Sequence, residues 1–255
     1  VTDTANVHYL PQFVDGVDLA RRTVVVIDLL RASTTICHAL AAGAASVVPF
    51  AEVDDVRRAA AGQSRAEVLL GGERDGVRIE GFDLGNSPSE YTPSAVFGRR
   101  IYFTTTNGAR AIAHAQHAQR VVIGAIVNRR SVVEAIAGDP HVEVLCAGTN
   151  GRVTREDILA AGALVDDLLS KSPRTTNSFA DSARGEWQEL LTTAAALGRS
   201  PSAQLALELQ QTPGGRNLRA IGQDDDLVTC AQLDSMDLVP TLDRTGPEAT
   251  IRADD

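Results

Sequence analysis

Short apolar runs alternating with helix-like stretches constrain this chain more than any other feature. The first run, Val24-Val25-Val26-Ile27, is four β-branched residues in succession, which fits a strand buried on both faces of a parallel sheet. Ser33 or Thr34 then caps a helix running to about Ala42, before Gly43. Residues 47–50 read as a strand, 53–61 as a helix and 68–70 as a third strand. The alternation continues through strand 101–103, helix 108–118, strand 120–123, helix 129–137, strand 142–146 and helix 154–170. This order predicts an α/β fold, a parallel sheet covered by helices.

The pattern stops between Gly71 and Pro93, where no helical period survives. A loop of that length in a compact domain is functional or disordered, and the interspersed Ile79, Phe82 and Leu84 favour an ordered loop packed onto the body. The polar stretch 170–178 is the best linker, so residues 1–255 form either one domain or two α/β lobes joined there. Beyond it the chain reads as mostly helical, through Trp187, Leu190 and Leu191 and again from Leu205 to Leu209. The residues after Pro240 read as poorly ordered.

A net charge of −9 leaves no basic footprint for nucleic acid, and no apolar run approaches the ~18 residues that span a membrane. Lys171 is the only lysine, so an anion clamp must be built from Arg or backbone N–H groups. Cys37, Cys146 and Cys230 have neither zinc-site spacing nor disulfide density. With no signal peptide ahead of the first strand, a reducing cytoplasm is expected. A small-molecule substrate is the expected partner, and a homo-oligomer is left open.

One tripeptide occurs twice in the same setting. Thr106-Asn107-Gly108 and Thr149-Asn150-Gly151 each follow an apolar run and precede a helix-like stretch. A turn from a strand's carboxyl end into a helix gathers backbone N–H groups and the positive end of the helix dipole, which suits a phosphate or carboxylate. The alternative is that Asn-Gly is simply a favourable turn dipeptide.

Candidate carboxylates stand at equivalent places. Asp28 ends the first strand, with Arg31, Ser33 and Thr34 in the turn after it, and Glu73 and Arg74 follow the third strand. Side chains there point into the crevice above a sheet, where a metal or reacting group sits. Thr154-Arg155-Glu156-Asp157 matches a capping box, which leaves one of its two carboxylates for a divalent cation. Asp224-Asp225-Asp226 is a solvated turn or a further ligand source. A competing pattern is Cys146, five residues, then Arg152, the spacing of cysteine-dependent phosphatases, in which loop N–H groups lower the thiol pKa. His114 and His117 read as a polar helix face.

Taken together, residues 26–36, Gly72-Glu73-Arg74, Gly81-Phe-Asp-Leu-Gly-Asn-Ser-Pro88, Thr104-Thr-Thr-Asn-Gly108 and Cys146-Ala-Gly-Thr-Asn-Gly151 resemble the 2-phosphosulfolactate phosphatase (ComB) family. The resemblance runs from about residue 20 to about 165, with weaker echoes near Asp226 and Pro240, and Ala109 departs from the Thr expected there. It implies a magnesium-dependent phosphatase of three-layer α/β/α architecture with a mainly parallel or mixed sheet, acting on 2-phosphosulfolactate in coenzyme M biosynthesis. It also implies Mg2+ ligands drawn from Asp28, Glu73, Asp157 and Asp226, with Arg31 and Arg74 beside the reacting phosphate. The implied substrate contacts are Ser33, Thr34, Asn86, Thr106, Asn107, Gly108, Gly148, Thr149, Asn150 and Gly151. A non-catalytic binder of small phosphorylated acids is the alternative from another class.

Overall fold

The computed structural model describes residues 2–254. The chain opens with β1 (Thr4–His8), β2 (Thr23–Ile27), α1 (Ala32–Ala41), β3 (Ser46–Pro49) and α2 (Val53–Ala60). There follow β4 (Val68–Arg74), β5 (Val77–Arg78), the one-turn α3 (Pro93–Val96), β6 (Arg100–Thr104), α4 (Gly108–His114) and β7 (Arg120–Ile123). Next come α5 (Arg129–Ile136), β8 (His141–Cys146), α6 (Arg155–Lys171), β9 (Thr175–Thr176) and α7 (Ser178–Ala196). The last elements are α8 (Pro201–Leu209), α9 (Pro213–Ala220), α10 (Asp225–Cys230), β10 (Pro240–Asp243) and β11 (Thr250–Ala253).

The strands form one mixed sheet in the order β5-β4-β6-β3-β11-β10-β7-β2-β8-β1-β9, with helices on both sides. Two groups are internally parallel, β4-β6-β3 and β7-β2-β8-β1-β9. Between them lies the antiparallel hairpin β10-β11, joined antiparallel to β7 through Thr241 and Val122 and to β3 through Ile251 and Val47. Three successive reversals make the two parallel groups run in opposite directions.

β2 shows why its apolar run is uninterrupted. Val25 and Ile27 join a core cluster with α6 and α7, while Val24 and Val26 join a second cluster with Ile36 of α1 and Ile112 of α4. That second cluster also takes Val47, Ile101 and Phe103 from the other parallel group, together with Leu242 and Ile251 of the hairpin. A strand with both faces covered has no polar side to display.

Two expectations are corrected, and one further strand carries no clear sequence signal. The residues after Pro240 are not poorly ordered: they supply the two central strands, hidden in the sequence because each brings essentially one inward residue, Leu242 or Ile251. The span 71–93 is not loop throughout, since β4 runs on to Arg74 and turns back into β5. Gly71 and Gly72 mask that strand, yet a Cβ on either would overlap the Tyr91 hydroxyl (2.4 Å) or the Thr104 carbonyl oxygen (2.0 Å). N-terminal β1, whose Thr-Ala-Asn-Val-His sequence is mixed rather than apolar, pairs in parallel with β8 and β9.

The stretch 170–178 crosses the sheet edge as β9, and Arg174 donates to the carbonyls of Asp139 and Ala137, both at 2.6 Å. Beyond it α7 crosses α6 so closely that a Cβ on Gly162 would lie 2.1 Å from the Ala183 carbonyl oxygen. No helix of the described residues is long and apolar enough to cross a membrane.

Ile251, fully buried between the two strand groups, tests the central position of the hairpin. Ile251→Ala is expected to cost about 2–5 kcal/mol in denaturant unfolding, the range for a core isoleucine. A loss below about 0.5 kcal/mol, the size of a surface change, would contradict this placement.

Candidate active site

The turn after β2 is folded by its own hydroxyls. Ser33 Oγ accepts the Asp28 N–H (2.9 Å), Thr34 donates to the Leu29 carbonyl (3.2 Å), and Thr35 donates to the Asn86 carbonyl (2.8 Å). Ser33 and Thr34 therefore shape the turn, and the Asp28 side chain is left at the floor of a cleft of about 200 Å³. Gly108 opens α4 directly against that side chain, where a Cβ would fall 2.7 Å from Asp28 Oδ2 and 2.5 Å from Ala32 Cβ. Only glycine fits there.

Two other carboxylates bind backbone. Glu73 accepts the N–H groups of Thr106 (2.8 Å) and Gly76 (2.7 Å), which ties the end of β4 to the first Thr-Asn-Gly turn. Asp157 accepts those of Leu29 and Gly148, each at 2.9 Å, and so clamps the end of β2 to the end of β8. Thr154 is the N-cap of α6, but its hydroxyl lies 3.3 Å from Asp157 Oδ2 and caps no backbone group, so the capping-box reading fails. The acid at the third helical position reaches across to two strands instead.

Arg31 is fully buried. Its Nη1 donates to Asp226 Oδ2 (2.6 Å) and to the Gln223 carboxamide oxygen, and its Nη2 donates to the Gly76 carbonyl (3.1 Å). The other oxygen of Asp226 accepts from Ser87 (2.7 Å). Arg31 lines the cleft; Asp226 stands behind it. Arg74, one residue beyond Glu73, points the other way and donates to the Glu73 carbonyl (2.8 Å), the Thr104 hydroxyl (3.1 Å) and the Ala51 carbonyl (3.3 Å). Alternation along a strand sends neighbours to opposite faces.

The two Thr-Asn-Gly turns meet: Asn107 Oδ1 accepts the Asn150 N–H at 2.9 Å. They are not equivalent, however. Asn107 precedes α4, whereas Thr149 and Arg152 exchange backbone hydrogen bonds (2.9 and 3.0 Å) around Asn150 (φ 51°) and Gly151 (φ 70°). Two positive φ values in succession make a tight reversal of type I′, so the second turn does not open a helix, and α6 begins only at Arg155. Gly148 is also left-handed (φ 64°), and a Cβ there would strike Leu10 and the Arg152 carbonyl.

The cysteine pattern is likewise overturned. Cys146 is buried in β8, its Sγ 3.7 Å from the Asp157 carbonyl oxygen, and burial followed by the Asp157 charge pushes the thiol well above its ordinary range. Arg152 is exposed. The loop therefore stabilises no thiolate.

The cleft wall thus carries Asp28, Glu73, Asp75, Arg31, Asn86 and Thr106, with Asn107, Thr149 and Asn150 at one side. Opposite them, α9 presents Pro213, Gly214 and Asn217. Asp75 and α9 escaped the sequence reading; the signals were an Asp-Gly turn and Pro213-Gly214-Gly215 behind Thr212, whose Oγ1 accepts the Gly215 N–H at 3.1 Å. Gly214 donates to Glu156 Oε1 (3.2 Å), while the buried Glu156 Oε2 and Asn86 Oδ1 have no partner among the described residues.

Burial, then the Glu73 charge, raises Asp28 to about 7, and burial raises Glu156 as well. Asp157 is pushed well up by burial, Asp28 and Glu156. Among the described residues, no three His, Cys, Asp or Glu side chains form a ready-made metal cage.

The sequence profile described as 2-phosphosulpholactate phosphatase matches residues 9–245. A "probable 2-phosphosulfolactate phosphatase" of Symbiobacterium thermophilum is 41% identical over 227 residues, 88% of this chain and 93% of that protein. Proteins of the same name from Prochlorococcus marinus (strain MIT 9303) and Caldanaerobacter subterraneus subsp. tengcongensis are 41% and 36% identical, covering 87% and 88% of this chain and 89% of each relative.

Because the folded protein binds the Asp28 proton more tightly than the unfolded chain, Asp28 costs nothing below its ordinary value and weakens the fold as pH rises toward about 7. In chelator, Asp28→Asn is expected to melt increasingly above the parent between roughly pH 4 and 7, with the gap constant at higher pH. A gap independent of pH would contradict the shift. Cys146→Ser is expected to lower turnover by less than about tenfold, whereas loss of a thiolate nucleophile would cost several orders of magnitude.

Proposed function

The chain belongs to the 2-phosphosulpholactate phosphatase family, and from that premise we propose that it hydrolyses 2-phosphosulfolactate, or a related small 2-phospho acid, to the 2-hydroxy acid and phosphate, with Mg2+ bound at Asp28 and Glu73. The observation that carries this reading is the charge of the cleft. Among the described residues three carboxylates, Asp28, Glu73 and Asp75, line it against one cation, Arg31, which is already paired with Asp226. A polyanionic substrate and an acid-walled cleft repel one another unless a cation stands between them.

The residues fit Mg2+ in kind. This ion takes one or two carboxylates, keeps several waters and completes its shell with phosphate oxygens, so it needs no all-protein cage. The raised Asp28 supports the same reading, because a buried carboxylate beside a second one is ionised at lower cost next to a cation. When bound, Mg2+ would supply charge neutralisation at the phosphoryl oxygens.

The chain's own groups do the rest. Arg31 is held by Asp226, Gln223 and the Gly76 carbonyl, with N–H groups left for a phosphoryl oxygen. Asp157 and Asp226 support the cleft wall through Leu29, Gly148 and Arg31. The hydrogen bond from Asn150 to Asn107 joins the two turns at the side of the cleft. Glycine at 108 lets a ligand approach Asp28 without a side chain in the way.

Phosphate release from 2-phosphosulfolactate is expected to vanish after exhaustive EDTA treatment and to return with Mg2+. Asp28→Asn is expected to lower kcat by at least about a hundredfold while the protein stays folded. Full activity in EDTA would refute the metal assignment.

A further inference from the structure

A second cleft, of about 370 Å³, shares Thr106, Asn107 and Asn150 with the first. Its chemistry is the reverse. Gln12, Arg110, His114 and Gly151 line it, and among the described residues no acidic one does. We propose that this cleft is the subsite for the distal sulfonate of the substrate, held by the Arg110 guanidinium and the Asn107 amide; the assignment rests on the phosphatase reading above.

The Asn107 amide has a defined direction. Its Oδ1 accepts the Asn150 N–H, so the Nδ2 hydrogens are left without a protein acceptor among the described residues, at the boundary of the two clefts. Arg110 sits on α4, three residues on. Its Nη2 donates to the exposed Glu52 at 3.0 Å, which leaves further N–H groups of the fork for a ligand. His114, one turn later on the same helix face, is anchored to the Val14 carbonyl at 2.8 Å and closes that side.

Charge decides which end of the substrate goes where. Phosphate and carboxylate sit on the same carbon and are served together by a cation at the acidic cleft. The sulfonate, one carbon further out, is a permanent anion, and the acid-free cleft with an arginine suits it better than the carboxylate-lined one.

The test compares 2-phosphosulfolactate with 2-phospholactate, which keeps the phosphate ester and carboxylate and lacks the sulfonate. For Arg110→Gln the ratio of kcat/KM, sulfonated over unsulfonated, is expected to fall by at least about tenfold, expressed mainly in KM. Equal losses on both substrates, or none, would overturn the subsite. Calorimetry keeps the question separate from hydrolysis: 3-sulfolactate is expected to bind the parent, and Arg110→Gln to weaken it at least about tenfold more than it weakens inorganic phosphate. Glu52→Gln, which releases Arg110, is expected to tighten 3-sulfolactate. Absent binding to the parent, or loss of phosphate and 3-sulfolactate in parallel, would also overturn it. Absence of hydrolysis with selective 3-sulfolactate binding would refute the phosphatase reading and leave an anion subsite standing.

Discussion

Asp28, Glu73, Glu156 and Asp157 are buried together, and burial with the charge of neighbouring carboxylates raises the proton affinity of Asp28 and Asp157; the architecture around the cleft follows from that constraint. Buried carboxylates need donors. The backbone N–H groups of Leu29, Gly76, Thr106 and Gly148 go to Glu73 and Asp157, and that of Asn150 goes to Asn107. Loops that in other α/β proteins cradle an anion with N–H groups here bind the protein's own carboxylates, and the strand ends are locked to one another as a result. On the proposed reading the anionic ligand would be met by a cation, by Arg31 and by side-chain amides.

The C-terminal segment completes the site from a distance in sequence. Asp226 and Gln223 orient Arg31, Gly214 bonds Glu156, and the hairpin of β10 and β11 bridges the two parallel strand groups. Successive parts of the late segment thus complete the cleft and then the sheet. A lesion in α9 or α10 should therefore reach the cleft without altering any residue of the β2, β4 or β6 strand ends.

Local pattern revealed what local physics dictates. The β-branched run of β2, buried on both faces, and the strand-helix alternation through α6 were legible, as were Asp28, Arg31 and Glu73 at strand ends. Long-range pairing hid the remainder. β1 pairs with strands more than a hundred residues away, and β10 and β11, paired chiefly with each other, join the sheet through distant β7 and β3; their short, mixed sequences carry little period of their own. Arg74 looked equivalent to Arg31 because sequence adjacency does not show which face of a strand a side chain takes. The second Thr-Asn-Gly turn resembled the first in letters, yet the positive φ of Asn150 makes it a hairpin rather than a helix entry. Cys146-x5-Arg152 has the spacing of a cysteine phosphatase without its environment, since the thiol is buried in β8, burial pushes its pKa up, and Arg152 is exposed.

The central claim is that the buried carboxylates form a cation site before any substrate arrives. Melting of the metal-free protein across a Mg2+ titration tests it most directly. Binding to the folded state alone adds about 2.7 kcal/mol at a hundred times Kd, or roughly 5–10 °C for a chain of this size. A saturable rise of that order is expected, lost in the Asp28→Asn, Glu73→Gln double variant, whose metal-free form still unfolds cooperatively. A melting temperature indifferent to Mg2+, or a rise that survives the double substitution, would contradict it.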